Sequence, residues 1–190
     1  MVNMSISKDE IRKEKLDLRK RMYATAVEKL SYQICERLII SEIITPNSRI
    51  GIYKPITNEV NVQHLAHWLK EENKSVLYTP RVLDHGDMIF EKVFKPISSL
   101  DLKYTDPLSG MVDGIEYFII PLVAFDRKMN RIGFGKGYYD RYLNRYEKNC
   151  IKIGLAYSFQ ETIDIPSEPH DVKLDYIVTE KEIIKFLELQ

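Results

Sequence analysis

A short segment with three alternating glycines, residues 131–140 with the sequence RIGFGKGYYD, holds the residues best suited to chemistry. Its glycines are Gly133, Gly135 and Gly137. Glycine permits positive φ angles and close approach of the backbone to a ligand, and N–H groups at the start of a following helix can bind phosphate oxygens. Lys136 adds a mobile positive charge, Arg131 a planar guanidinium, and Asp140 a carboxylate for a magnesium ion that bridges phosphates. The segment therefore has the parts required for phosphoryl transfer.

The same segment also fits a plain glycine-rich turn, in which Asp140 caps the next helix while Tyr138 and Tyr139 pack in the core. A bare pattern of alternate glycines is a weak signal by itself. Its spacing differs from the dinucleotide-binding fingerprint, and no Ser or Thr follows Lys136 as a Walker loop requires. Those two families are excluded, while phosphate binding and a plain turn both stay open.

Two helices are predicted ahead of the first strand. Ser7 and Glu10 have the spacing of a capping box, and apolar residues follow them at helical intervals. Thr25 and Glu28 repeat that spacing before a second apolar series, which Pro46 ends at the latest. The chain should therefore begin its ordered part with two amphipathic helices.

Strands and helices alternate in the rest of the chain. The predicted strands are residues 49–53, 75–79, 88–93, 117–125, 151–157 and 175–179. The predicted helices are residues 62–72 and 138–146 and a closing helix from residue 180. Pro80 is expected to close the second strand, and the second and third strands are expected to pair as a hairpin. Residues 95–114 should form a long irregular connection, of a kind that often belongs to a site.

The run YFIIPLVAF at 117–125 is the most hydrophobic of the chain. It is typical of a central strand buried on both faces, with Pro121 placed where no ladder donor is needed. Together these elements predict a single α/β domain over residues 1–190. We expect an open, mostly parallel, twisted sheet flanked by helices in a Rossmann-like three-layer arrangement.

Composition limits the classes of partner. The 28 basic and 28 acidic residues cancel, so no overall field favours nucleic acid or an anionic membrane. Cys35 and Cys150 lie far apart without neighbouring ligands, which argues against a disulfide framework or a zinc site. The N-terminus is polar, and no run has the length of a membrane span. A cytoplasmic protein that binds small molecules is the expectation.

Residues 121–143, PLVAFDRKMNRIGFGKGYYDRYL, resemble the signature of the 5-formyltetrahydrofolate cyclo-ligases, also called methenyltetrahydrofolate synthetases. Three further parts of the chain resemble the family, in the same order along the sequence. Residues 15–19, KLDLR, resemble its N-terminal KxxLR motif, and Glu59 resembles its folate-pocket glutamate. Residues 171–175, DVKLD, resemble its DxKxD segment. The resemblance implies conversion of 5-formyltetrahydrofolate to 5,10-methenyltetrahydrofolate, with ATP becoming ADP and phosphate and with Mg²⁺ as cofactor. A monomer is expected, with a dimer as the alternative.

The resemblance also implies a role for individual residues. The expected ATP contacts are Lys15, Arg19, Arg131, Gly133, Gly135, Lys136, Gly137, Tyr138 and Tyr139. The expected substrate contacts are Lys54, Glu59, Phe134, Gly135, Lys136, Gly137 and Tyr138. Lys136, Arg131 and Tyr138 are the expected catalytic residues, and Asp140 and Asp171 the expected magnesium ligands.

Two positions depart from the family pattern. Phe134 stands where some members carry Arg, so that charge is absent or comes from Lys136, and Asp106 replaces a Glu. Two other functions compete with the enzyme. One is a non-catalytic relative that binds folate, or RNA through its basic first helix. The other is a sugar-phosphate isomerase of similar fold, which would need no ATP.

Overall fold

The computed structural model describes residues 6–84, 86–93, 114–146 and 149–186. Residues 95–113 of the predicted connection, Asp106 among them, lie outside the described residues. The helices are α1 (Lys8–Lys20), α2 (Ala24–Ile40), α3 (Gln63–Glu71) and α4 (Tyr138–Tyr146). The strands are β1 (Arg49–Gly51), β2 (Val76–Val82), β3 (Met88–Lys92), β4 (Tyr117–Pro121), β5 (Ala124–Phe125), β6 (Arg131–Ile132), β7 (Ile151–Leu155), β8 (Tyr176–Val178) and β9 (Ile183–Lys185).

Seven of these strands form one sheet in the order β3-β2-β1-β4-β7-β8-β9. The five inner strands are parallel, and the edge strands β3 and β9 each pair antiparallel with their neighbour. The mostly parallel sheet flanked by helices is thus confirmed, as is the predicted pairing of β2 with β3.

The central strand β4 separates two hydrophobic cores because its side chains alternate between the faces of the sheet. Tyr117 and Ile119 pack in the core that contains α2 and α3, and Phe118 and Ile120 pack in the core that contains Leu143 of α4. The three layers are therefore α2 and α3, the sheet, and α4. Among the described residues, none of the helices combines the length and the apolar character needed to span a bilayer.

The predicted capping box of α1 is confirmed, but that of α2 is wrong. Ser7 and Glu10 bond to each other's backbone N–H groups in both directions. α2 instead begins at Ala24, directly after Tyr23, which gives no side-chain cap. Thr25 therefore lies inside the first turn of the helix, where spacing alone could not distinguish it from a cap.

Two strands differ most from their predicted bounds. Pro80 does not close β2, which continues to Val82. The Leu83 N–H donates to the Asp87 carbonyl, and the Val93 N–H donates to the Leu77 carbonyl. In this register the odd-numbered residues of β2 form the hydrogen bonds to β3. Pro80 is even-numbered, so its lack of an N–H costs no hydrogen bond to β3. The 117–125 run ends as a sheet strand at Pro121, and β5 forms a separate hairpin with β6.

The predicted closing helix from residue 180 is wrong for the described residues. Residues Ile183–Lys185 form β9, which pairs antiparallel with β8. Thr179 accepts hydrogen bonds from the Lys181 and Glu182 N–H groups through its hydroxyl, which makes the tight turn between the two strands. Pairing with the sheet edge and burial of Ile184 outweigh the helical propensity of the charged sequence.

Candidate active site

A cavity of about 970 Å³ opens beyond the carboxyl end of β4, where open α/β sheets bind small molecules. Most of its wall is the continuous segment 131–141, which contains the whole glycine segment. The rest of the wall consists of Lys8 and Arg12 of α1, Ile56, Pro121, Asn144, and a group around Asp171. The predicted phosphate-binding loop is therefore the main surface of this cavity.

The glycine segment adopts a conformation that requires two of its three glycines. Gly135 has φ +89° and Gly137 has φ +64°, and α4 begins at the next residue. A side chain at Gly135 would lie 3.3 Å from the Arg12 guanidinium carbon. Gly133 has open space where a side chain would extend. Its backbone carbonyl instead accepts a hydrogen bond of 2.9 Å from Arg12 Nε.

Arg131 and Asp140 form an ion pair at the two ends of the segment. Arg131 Nη2 lies 2.8 Å from Asp140 Oδ1, and the same oxygen accepts a 3.0 Å hydrogen bond from the Val172 N–H. The carboxylate thus ties the loop, the first turn of α4 and the 168–175 region together. Tyr138 lines the cavity beside it, and Lys136 is exposed there.

The β5–β6 hairpin that carries Arg131 is held by the fully buried carboxylate of Asp126. Its Oδ1 accepts from the N–H groups of Lys128 and Asn130, both at 2.9 Å. Its Oδ2 accepts from the Asn130 amide at 2.8 Å and from the Ile165 N–H at 3.0 Å. Asp126 therefore fixes the turn from which the glycine segment starts.

We expect Asp126→Ala to destabilise the fold by about 3 kcal/mol or more, because three backbone N–H groups lose their acceptor and each unsatisfied group costs roughly 1–3 kcal/mol. Urea unfolding measures the change. Asp164→Ala is the control, since Asp164 makes an exposed ion pair with Lys128 and should cost under about 1 kcal/mol. Equal losses in the two variants would contradict the role given to Asp126.

Lys8 and Arg12, which were not among the predicted site residues, bring two cations from α1 to the cavity. Lys8 Nζ lies 2.6 Å from Asp171 Oδ2 and 3.2 Å from Glu168 Oε2. Burial by itself would raise the pKa of Asp171. The hydrogen bonds from Lys8 and from the Glu168 N–H outweigh burial and keep this pKa below its usual value. The spacing of Lys8, Ile11 and Arg12 was a signal that could have revealed them, because it also fits K-x-x-apolar-R.

A second group of polar side chains is buried below the loop. Arg19 is 1% exposed and Glu59 is 5% exposed, with Nη2 of Arg19 3.9 Å from Oε1 of Glu59. Burial raises the pKa of Glu59 to about 7, although the Ile56 N–H and Arg19 both favour the ionised form. Burial also raises the pKa of the Tyr139 phenol. Phe134 covers this group with its ring centroid 5.3 Å from the Arg19 guanidinium carbon.

Residues 4–180 match the sequence profile of the 5-formyltetrahydrofolate cyclo-ligases. The chain belongs to this family. The 5-formyltetrahydrofolate cyclo-ligase of Mycoplasma pneumoniae is 35% identical, over 93% of this chain and 100% of the relative. A solved 5,10-methenyltetrahydrofolate synthetase of Mycoplasma pneumoniae superposes with a TM-score of 0.76 at 31% identity, over 92% of this chain and 99% of that chain. The synthetase of Aquifex aeolicus gives a TM-score of 0.75 at 30% identity, over 96% and 94%.

Two segments of α1 resemble the cyclo-ligase family motif KxxLR, residues 15–19 and residues 8–12, and the structure places them differently. Ile11 is 2% exposed and packs with Ala124 and Ile132, whereas Leu18 is 42% exposed. The earlier K-x-x-I-R therefore points its basic ends at the cavity. The described wall includes neither Lys15 nor Arg19, so contact of these two residues with ATP phosphates stays a prediction. Lys15 pairs at 3.1 Å with Glu14.

The other predicted site residues of this cyclo-ligase fall into two groups. The wall of the cavity includes Arg131, Gly133, Phe134, Gly135, Lys136, Gly137, Tyr138, Tyr139, Asp140 and Asp171. Lys54 and Glu59 follow β1 in the chain. Neither belongs to the part of the cavity wall that the described residues form. The ligand atoms of Glu168, His170 and Asp171 lie within 4.8 Å of one another, and Asp140 is not in that group.

Proposed function

We propose that this chain, as a single domain, catalyses the ATP-dependent closure of 5-formyltetrahydrofolate to 5,10-methenyltetrahydrofolate, with release of ADP and phosphate. The observation that carries the proposal is the cavity formed by segment 131–141 in a chain that matches the cyclo-ligase family over residues 4–180. The alternative interpretation, a glycine-rich turn without a ligand, is disfavoured. The loop lines the cavity, and the Gly133 carbonyl accepts a hydrogen bond from Arg12 of α1. A sugar-phosphate isomerase is not what the family names describe.

The reaction has two bond-forming steps. The formyl oxygen attacks the γ-phosphorus of ATP, so that a new O–P bond forms while the bond to the bridging oxygen breaks and ADP leaves. N10 then attacks the activated formyl carbon, the C–N10 bond forms, and the C–O bond breaks with release of phosphate. The proton of N10 passes to solvent. Both steps gain mainly from positioning and from neutralisation of charge.

Lys8 and Arg12 take the role for ATP phosphates that the sequence had suggested for Lys15 and Arg19. Both line the cavity, and Arg12 is held over the glycine segment by Gly133. Lys136 is exposed in the same cavity and can follow the transferred phosphoryl group. Arg131 keeps Asp140 in place, and Tyr138 forms the wall where the folate ring would approach.

Asp140 and Asp171, two carboxylates of the cavity wall, are the proposed magnesium ligands. Both already face cationic groups, since Arg131 contacts Asp140 and the Lys8 ammonium lies between Asp171 and Glu168. Carboxylate oxygens are the ligands that Mg²⁺ takes together with substrate phosphates. Bound there, the ion would neutralise phosphate charge. Asp140 and Asp171 would hold it, and Lys8 would turn from the carboxylates toward a phosphate oxygen.

Arg12→Ala should raise the KM for ATP by about tenfold or more, because one charge-assisted contact of roughly 1.5–3 kcal/mol is lost. Lys15→Ala is the matched control from the same helix, with its ammonium directed to Glu14. It should change the KM for ATP by less than about twofold. If Lys15→Ala has the larger effect, the motif belongs on residues 15–19 after all.

The proposal includes a cytoplasmic location, a monomeric state with a dimer as the alternative, and no role for nucleic acid or membranes. Its test is direct. Purified protein is mixed with 5-formyltetrahydrofolate, Mg²⁺ and ATP, and the ultraviolet absorbance of the methenyl product is followed. Product should form with ATP and not without it. Absence of product above the control without ATP would refute the proposed function.

A further inference from the structure

We propose that Arg19 is a positioning residue that acts through Glu59, holding its carboxylate beneath Phe134 so that it can accept hydrogen bonds from the pterin edge of 5-formyltetrahydrofolate. Arg19 would then serve the folate side of the site and not the ATP phosphates. This inference rests on the proposed function.

Two contacts hold the guanidinium of Arg19, and a third holds its backbone. Nη1 donates to the Leu122 carbonyl at 3.2 Å, and the Phe134 ring lies over the guanidinium carbon. The backbone carbonyl of Arg19 accepts from the Asn58 amide at 3.1 Å, one residue before Glu59. The described residues provide no hydrogen-bond partner for its buried Nε and Nη2. Unsatisfied buried donors of this kind are rare in folded proteins, so these two atoms are candidates for contact with a ligand.

Glu59 is satisfied on one side alone. Its Oε2 accepts from the Ile56 N–H at 3.0 Å, and Ile56 lies on the cavity wall. Its Oε1 is buried and has no hydrogen-bond partner within the described part of the chain. The 3.9 Å between Oε1 and Arg19 Nη2 is longer than a hydrogen bond. The pair therefore keeps donors and an acceptor available together, which suits a ring edge with N–H donors and a carbonyl acceptor.

Of the described groups near the Glu59 carboxylate, Arg19 carries a charge and three tyrosines carry phenols. Tyr53 donates its phenol to the Val60 carbonyl, and Tyr157 lies within 3.2 Å of the Glu59 carbonyl. Burial raises the pKa of the phenols of Tyr53, Tyr139 and Tyr157, so all three are neutral at working pH. Burial raises the pKa of Glu59 to about 7, while the Ile56 N–H and Arg19 lower it. Loss of Arg19 should therefore shift Glu59 further toward its protonated form.

The test measures binding of 5-formyltetrahydrofolate without ATP, as a function of pH, by isothermal calorimetry. Wild-type affinity should strengthen as the pH rises through about 7, because the ionised carboxylate is the acceptor. Arg19→Met should weaken binding at neutral pH by about tenfold or more and move the midpoint to higher pH. Glu59→Gln should remove the pH dependence. In the Glu59→Gln background, Arg19→Met should add less than about threefold.

Two controls separate positioning from a structural role. Arg37→Met removes another part-buried arginine, which bonds to the carbonyls of Thr179 and Glu180, and it should leave folate affinity unchanged. ATP affinity of Arg19→Met should stay within about twofold of wild type. If Arg19→Met does not fold, Arg19→Lys is used instead. It keeps the charge but not the planar fork, and should weaken folate binding with a smaller shift of the midpoint.

The role is overturned if Arg19→Met weakens ATP binding as much as folate binding, or if its effect is undiminished in the Glu59→Gln background. Either result would return Arg19 to the phosphates or to the fold. A wild-type protein that does not bind 5-formyltetrahydrofolate at all would instead refute the proposed function, so the two failures are distinguishable.

Discussion

Asp140→Asn should lower kcat by at least about 100-fold while the protein remains folded. The amide keeps the size of the carboxylate and an oxygen for the Val172 N–H, so the link between α4 and residue 172 can persist. It removes the negative charge, which is the property that a magnesium ion requires. It also leaves Arg131 without its ionic partner in the loop. Turnover at saturating Mg²⁺ measures the loss, and circular dichroism checks the fold.

Asp175→Asn is the matched control, because Asp175 belongs to the same 171–175 segment and also accepts a backbone hydrogen bond, from the Lys152 N–H at 2.7 Å. Its ion pair with Lys152 lies at the beginning of β8 and outside the cavity wall. Turnover should change by less than about threefold. Normal turnover in Asp140→Asn, or a comparable loss in both variants, would remove Asp140 from the site.

Gly135→Ala should reduce kcat/KM for ATP by about tenfold or more. Its φ of +89° lies outside the range that alanine prefers, at a cost of roughly 1–2 kcal/mol. The new methyl group would also press on the Arg12 guanidinium, whose carbon lies 3.3 Å away, and displace it from Gly133. Stopped-flow or steady-state kinetics with varied ATP measure the effect.

Gly86→Ala is the control for backbone strain. Gly86 has φ +87°, nearly the same as Gly135, but nothing lies within 4 Å of the added methyl group. Gly86→Ala should lose about as much thermal stability as Gly135→Ala, and its KM for ATP should stay within about twofold of the wild-type value. If both variants lose ATP affinity equally, strain alone is responsible and the contact between Arg12 and the loop has no role.

The sequence was informative wherever a local signal coincided with the fold. The glycine segment predicted a loop that opens onto a helix, and Gly135, Gly137 and α4 have that geometry. The hydrophobic run at 117–125 predicted the central strand β4. Alternation of strands with helices predicted the parallel sheet. In each case the residues responsible lie close together in the chain.

The features that could not be predicted depend on contacts between distant residues. Two K-x-x-apolar-R patterns lie seven residues apart in α1, and burial of Ile11 against Ile132 decides which one meets the cavity. β9 forms because the β8 edge pairs with it. The four hydrogen bonds of Asp126 join residues up to 39 positions apart. All three features depend on tertiary contacts or strand pairing, which the local sequence does not specify.

The most direct measurement of the central claim uses 5-formyltetrahydrofolate that carries heavy oxygen on its formyl group. The protein is incubated with this substrate, Mg²⁺ and unlabelled ATP, and the phosphate released is examined by mass spectrometry. The proposed reaction predicts that the formyl oxygen leaves with phosphate, in an amount equal to the methenyl product and to ADP. Methenyl product accompanied by unlabelled phosphate, or phosphate release without methenyl product, would contradict it.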